Sequence, residues 1–110
     1  DFGAKIKVVD WMKVQNYLDD AATVINTTSL GMIGKEDLPI SLDKLKKNTL
    51  VTDIVYTPLK TPLLAYASKN GCRIVDGLGM LIYQAIPGFE RWFGIKPTDS
   101  PDLRELLLRE

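Results

Sequence analysis

Short β-branched segments alternate along this chain with segments of helical periodicity, and the alternation limits the folds available to it. Four segments have the composition of strands, namely 4–9, 22–25, 49–56 and 73–75. Helices are predicted over 11–20, 41–47, 63–70 and 78–93, and from Ser100-Pro101 onwards. Strand, helix and strand joined by short turns are typical of βαβ crossovers. The sequence therefore predicts an α/β fold, a partial Rossmann-like parallel sheet with flanking helices and a C-terminal amphipathic helix.

Local signals refine the ends of these elements. Helix N-caps are predicted at Asp10, Ser41 and Thr61, and a left-handed C-cap at Gly71. The apolar run Ala22–Ile25 indicates a strand buried on both faces. The pair Pro87-Gly88 is expected to kink or interrupt the longest helix, because proline removes a backbone donor.

The composition of the 110-residue chain excludes several classes of function. Lys and Arg total 14, as do Asp and Glu, so we expect neither nucleic acid nor a membrane surface as a partner. Histidine is absent and Cys72 is the single cysteine, which argues against imidazole catalysis, a metal site and an internal disulfide. No apolar run approaches the roughly 20 residues of a membrane helix. The free thiol and the lack of a visible signal peptide favour a cytoplasmic protein.

Polar or glycine-rich segments lie at the C-terminal ends of three of the predicted strands. They are 26–29, 53–57 and 76–79. In parallel α/β sheets, ligands bind outside the C-terminal ends of the strands. The three segments are therefore expected to form one ligand-binding cleft.

Two of these segments carry side chains with both a structural and a functional interpretation. Asn26, Thr27, Thr28 and Ser29 could border a ligand, or could form an Asx or Ser/Thr turn that satisfies the loop backbone. Tyr56 could donate a hydrogen bond into the cleft, or simply pack its ring. For Asp53 the structural interpretation, capping of the neighbouring turn, is favoured.

The third segment opens the longest helix, where Gly77, Met80 and Gln84 fall at i, i+3 and i+7 on one side. Gly77 would let a ligand approach the backbone closely. Met80 could instead fill the core, which is the commonest use of methionine. Gln84 lies in an otherwise apolar helix, so we expect it to be buried and engaged by a ligand or a polar network.

Taken together, the three segments resemble the shikimate dehydrogenase family, specifically the C-terminal part of its nucleotide-binding domain. The first block is Val24-Ile25-Asn26-Thr27-Thr28-Ser29-Leu30-Gly31-Met32. The second runs from Asp53 to Leu64, and the third combines Asp76–Leu81, Gln84-Ala85, Phe89 and Trp92-Phe93-Gly94. The likeness spans residues 20–97 in order and spacing.

The resemblance implies an enzyme that reduces 3-dehydroshikimate to shikimate with NADPH, a step toward chorismate and the aromatic amino acids. It assigns Tyr56 and Gln84 to the bound substrate. It assigns Ile54 and Gly77 to the nicotinamide end of the cofactor, with Met80 close by. The segment that borders the cofactor is Asn26, Thr27, Thr28 and Ser29. NADP is implied by the family alone, and NAD stays open.

The same resemblance implies that parts of the enzyme lie outside this sequence. The family's substrate domain, catalytic lysine and aspartate, and glycine-rich phosphate loop all precede the matched region. We therefore expect residues 1–97 to be the C-terminal portion of a dinucleotide-binding domain and 98–110 to be a tail helix. No catalytic residue is predicted within this chain, and the chain alone is expected to be inactive.

Other interpretations stay open from the sequence. A relative that accepts quinate would use the same Tyr56 and Gln84, and a non-catalytic ligand-binding α/β module is a further alternative. If the strand order follows that of dinucleotide-binding folds, one sheet edge lacks its neighbour in this chain. Exposed edges recruit other strands, which favours self-association of the chain.

Overall fold

The computed structural model describes residues 3–109 and contains a three-stranded sheet with helices around it. The strands are β1 (Thr23–Asn26), β2 (Leu50–Asp53) and β3 (Arg73–Val75), and they lie in the order β1-β2-β3. The α-helices are α1 (Pro62–Lys69), α2 (Gly77–Phe93) and α3 (Pro101–Leu108). Two 3-10 helices cover Gly3–Lys5 and Trp11–Asp20. Both strand pairs are parallel, so the predicted α/β fold is confirmed.

The core lies between the central strand β2 and helix α1. Val51 of β2 packs with the buried face of α1, where Leu64 and Ala67 are fully enclosed. Leu45, Leu63 and Cys72 complete this cluster. Burial raises the pKa of the Cys72 thiol, because the thiolate loses hydration. The sheet and α1 thus form one packed unit, which fixes the positions of the strand ends.

Local signals predicted several element ends correctly. Thr61 caps α1, with its hydroxyl accepting from Leu64 N at 3.4 Å, and Pro62 takes the first helical position. Gly71 follows α1 with φ +82°, in the left-handed region where glycine is favoured. Ser100 caps the tail helix α3 through Leu103 N. These ends depend on residues within four positions of one another, which explains why the sequence predicts them.

Two predicted elements are wrong. The strand over 4–9 is replaced by a 3-10 turn and irregular chain, and Val8 is 94% exposed. A strand needs a ladder partner, and the described sheet begins with β1. The helix over 41–47 is replaced by turns. There the Ser41 hydroxyl donates to Asp43 Oδ2 at 2.8 Å and accepts from Asp43 N at 3.3 Å, which closes a turn in place of a helix.

Other predictions are corrected in type or extent. The segment Trp11–Asp20 begins at the predicted cap Asp10 but is a 3-10 helix. β1 is not buried on both faces, because Ile25 is 57% exposed at the edge of the described sheet. Helix α2 continues through Pro87 to Phe93, so the predicted interruption is wrong, while the kink stays a prediction. Across residues 3–109, no helix has both the length and the hydrophobicity needed to cross a bilayer.

Candidate functional site

The C-terminal ends of β1 and β2 meet through a buried polar pair. Asn26 and Asp53 end their strands in register, and Asn26 Nδ2 donates to Asp53 Oδ1 at 3.0 Å. Asp53 Oδ1 also accepts from Val55 N at 3.0 Å, and Oδ2 accepts from the Thr61 hydroxyl at 2.8 Å. The acceptance from Val55 N turns the chain and ends β2 at Asp53, three residues before the predicted end. Asp53 therefore has the structural, turn-capping role that the sequence favours.

The Asn26 side chain is occupied by the protein itself. Its Nδ2 also donates to Leu30 O at 3.1 Å. Its Oδ1 accepts from Thr28 N at 3.1 Å and from the Thr28 hydroxyl at 2.7 Å. An amide offers two donors and two acceptor positions, and these contacts fill them. Asn26 thus shapes the loop after β1. Because its side chain is engaged within the protein, its predicted role beside a cofactor would be to hold the shape of this loop.

A cleft of about 290 Å³ opens above these two strand ends. One wall is the loop after β1, in which Thr27 and Ser29 are exposed. The other wall is the segment after β2, where the Tyr56 side chain is 45% exposed. Backbone bonds from Ile54 N to Asn26 O and from Ile33 N to Thr57 O, each 3.1 Å, join the walls. The lining residues are Thr27, Thr28, Ser29, Met32, Ile54, Val55, Tyr56 and Thr57.

Five residues predicted for the site come together in this cleft, namely Thr27, Thr28, Ser29, Ile54 and Tyr56. Met32, Val55 and Thr57 also line it, although the sequence did not single them out. Only their position in the chain could have indicated these three residues, because each lies in one of the two segments, 24–32 and 53–64, that resemble the family. Hydroxyl groups beside apolar walls can hold a flat ring that carries a polar group.

Gly77 lies behind this cleft and packs against its wall. It is buried at the start of α2, against the backbone of Ile54 and Val55. A Cβ added at Gly77 would lie 2.4 Å from Ile54 O and 2.7 Å from Val55 O, which is closer than real Cβ contacts allow. The close approach that the glycine permits is therefore between α2 and the wall of the cleft.

Met80 and Gln84 lie elsewhere on α2. Met80 is 48% exposed, so it does not fill the core. Gln84 is also exposed, and the expectation of a buried amide is wrong. The burial of Gln84 was predicted from the apolar residues around it on α2. Several of those residues, including Tyr83 and Phe89, are themselves exposed. The cleft that Tyr56 lines does not include Gln84 among its lining residues.

A second set of polar contacts joins α2 to the tail. Asp76 caps α2, with Oδ1 accepting from Leu78 N at 3.1 Å, and its Oδ2 accepts from Arg104 Nη2 of α3. The Tyr83 hydroxyl donates to Asp99 Oδ2 at 2.8 Å. This hydrogen bond, and the nearby Asp99 charge, raise the pKa of Tyr83. Sequence reasoning missed the Asp76–Arg104 and Tyr83–Asp99 contacts, because they join residues 28 and 16 positions apart.

Known proteins similar to this chain include shikimate and quinate dehydrogenases. A family model described as Shikimate 5'-dehydrogenase C-terminal domain matches residues 77–100. The chain is 60% identical over 108 residues to the shikimate dehydrogenase (NADP(+)) of Cereibacter sphaeroides. The matched region covers 98% of this chain and 39% of that protein. The chain thus spans about two fifths of the length of the curated relatives that it matches.

Several solved structures with the same fold are dehydrogenases, and two of them serve for comparison. One is quinate dehydrogenase from Corynebacterium glutamicum in complex with NAD, with a TM-score of 0.82 and 33% identity, covering 93% of this chain and 36% of that one. The other is shikimate 5-dehydrogenase from Thermus thermophilus in complex with NADP(H) and shikimate. Its TM-score is 0.74 at 27% identity, covering 96% of this chain and 38% of that one. The resemblance noted in the sequence is confirmed.

Proposed function

We propose that this chain, which belongs to the shikimate dehydrogenase family, forms the nicotinamide-facing part of an enzyme that interconverts 3-dehydroshikimate and shikimate. The observation that carries the proposal is the cleft at the ends of β1 and β2, in a chain 60% identical to an NADP-dependent relative. Parallel sheets bind ligands at this edge. The reaction belongs to the synthesis of chorismate and the aromatic amino acids.

The residues of the cleft suit a positioning role. We propose that Ile54 and Gly77 support the nicotinamide ring, with Met80 nearby on α2 and the loop Asn26–Ser29 bordering the cofactor. Bound NADPH supplies the hydride. Tyr56, exposed at the rim, would donate a hydrogen bond to a substrate hydroxyl. Holding the two reacting carbons in line lowers the entropic part of the barrier.

Substrate contact by Gln84 is proposed on the resemblance alone. The amide is exposed on α2 and is free to reach a ligand that approaches this helix. No residue of this chain is proposed as a catalytic acid or base. That group, with the phosphate-binding loop, is proposed to come from the part of the relatives that this chain does not cover.

The cofactor is proposed to be NADP, because the curated relatives are named for NADP(+). NAD is the second candidate, since the similar quinate dehydrogenase was solved with NAD. Residues 1–97 are proposed to form the C-terminal portion of a dinucleotide-binding domain and 98–110 to form a tail helix, in a cytoplasmic enzyme.

Quinate is a second candidate substrate. The similarity in fold to quinate dehydrogenase, at a TM-score of 0.82, favours it. Quinate and shikimate are both cyclic polyols, and Tyr56 could bond to a hydroxyl of either. The comparison of kcat/KM for the two substrates would decide between them.

The test uses the full-length protein that contains this chain, with Tyr56 changed to phenylalanine. Loss of one hydrogen bond of about 1 kcal/mol would raise KM for shikimate roughly fivefold. The matched control is Tyr66→Phe, which removes a hydroxyl on α1 that contacts Asp43. Reduction of NADP+ is followed by absorbance. A protein that oxidises neither shikimate nor quinate would refute the function, and turnover by the 110-residue chain alone would refute its dependence on other residues.

We also propose that the isolated chain self-associates through the edge of β1. This strand pairs with β2 on one side only within the described sheet, and Ile25 is exposed there. Unpaired edges recruit a second strand. Sedimentation velocity over a range of concentrations would show growing dimer, whereas a monomer at every concentration would contradict the proposal.

A further inference from the structure

The start of α2 is held by one carboxylate that serves two partners. Asp76 Oδ1 accepts from Leu78 N at 3.1 Å, and Oδ2 accepts from Arg104 Nη2. The Asp76 and Arg104 side chains are 25% and 40% exposed, so the ion pair is only partly open to water. The residue that follows Asp76 is Gly77, whose backbone lies against the wall of the cleft.

The tail helix α3 touches α2 loosely apart from this contact. A cavity of about 420 Å³ separates their apolar faces, with Leu81 and Phe89 on one side and Leu103 and Leu107 on the other. The segment before α3 is tied to α2 by the bond between Tyr83 and Asp99. Two polar contacts, Tyr83–Asp99 and Asp76–Arg104, thus tie the tail to α2, and the second brings the Arg104 guanidinium to Asp76 from 28 positions away.

We propose that Arg104 is a positioning residue, which fixes the rotamer of Asp76 and through it the first turn of α2 behind the cofactor cleft. A capping carboxylate with a charged partner samples fewer rotamers, and the cap stays formed for a larger fraction of the time. The turn that carries Gly77 then keeps its place against Ile54 and Val55. This role in the reaction rests on the proposed function, whereas the effect on the turn does not.

Hydrogen exchange tests the effect on the turn. In the full-length protein, Arg104→Ala is expected to speed exchange of the Leu78 amide about fivefold, and Arg104→Lys to restore most of the protection. The matched control is Arg109→Ala, which removes the same charge from an exposed residue after the same helix, 3.7 Å from Glu105. In a background with Asp76→Ala, the change at Arg104 should have no further effect. Equal exchange in the Arg104 and Arg109 variants would overturn the proposal.

Steady-state kinetics tests the consequence for the reaction. Arg104→Ala should raise KM for NADP+ about threefold to fivefold with kcat nearly unchanged, and Arg104→Lys should reverse the rise. Faster exchange with an unchanged KM would overturn the positioning role and leave a structural contact. A wild-type protein without dehydrogenase activity would refute the proposed function, and the exchange result would still decide whether Arg104 holds the turn.

Discussion

Replacing Gly77 with alanine is expected to destabilise the chain by about 1–3 kcal/mol and to deform the cleft. The new Cβ would lie 2.4 Å from Ile54 O and 2.7 Å from both Ile54 C and Val55 O. All three are backbone atoms, so no side chain can rotate away to make room. Either α2 moves outward or the segment after β2 moves into the cleft, and both changes cost packing. Urea unfolding of the variant, with the free energy extrapolated to water, measures the effect.

Gly79 provides a matched control two residues later in the same helix. A Cβ added there meets nothing within 4 Å. Because alanine has the higher helix propensity, Gly79→Ala should be neutral or stabilise the chain by up to about 1 kcal/mol. The two variants carry the same chemical change, so their difference isolates the close approach at Gly77. Equal stability of the two would show that the start of α2 is not tightly packed against the cleft wall.

Replacing Asp53 with alanine is expected to cost on the order of 3 kcal/mol. The side chain is 1% exposed and accepts hydrogen bonds from Asn26 Nδ2, Val55 N and the Thr61 hydroxyl. Its removal leaves these donors without their partner in a region that water does not reach. The loop after β1 loses its order as well, because Asn26 is held in place by the same carboxylate. Thermal and urea unfolding would record the loss.

Two further variants serve as controls for Asp53→Ala, one conservative at the same position and one at an exposed aspartate. Asp53→Asn should cost less, about 1 kcal/mol, because the amide oxygen can still accept from Asn26 and Val55. Its NH2 group would then face Thr61, whose hydroxyl must accept in place of donating. Asp19→Ala, at an exposed position, should change stability by less than about 0.5 kcal/mol. If Asp53→Ala behaved like Asp19→Ala, the carboxylate would not be the centre of the buried network.

The same contrast between local and distant contacts explains which parts of the fold were predictable. The signal for α1 lies in Thr61-Pro62 and Gly71, whose effects act within the helix and its caps. The strand over 4–9 was wrong because β-branched composition does not supply a neighbour to pair with. The predicted burial of Gln84 was wrong for a related reason. An apolar stretch predicts a buried helix face only where another element covers that face.

By itself, the sequence determined the α/β class, the parallel strands β2 and β3, the ends of α1 and the family resemblance. These follow from periodicity, caps and segment order, which are properties of neighbouring residues. The tertiary structure alone decided that Asn26 bonds to Asp53, 27 positions away, that Gly77 abuts Ile54, and that Arg104 reaches Asp76. The physical reason is that such contacts depend on how the elements pack, and no short-range preference of the chain specifies that packing.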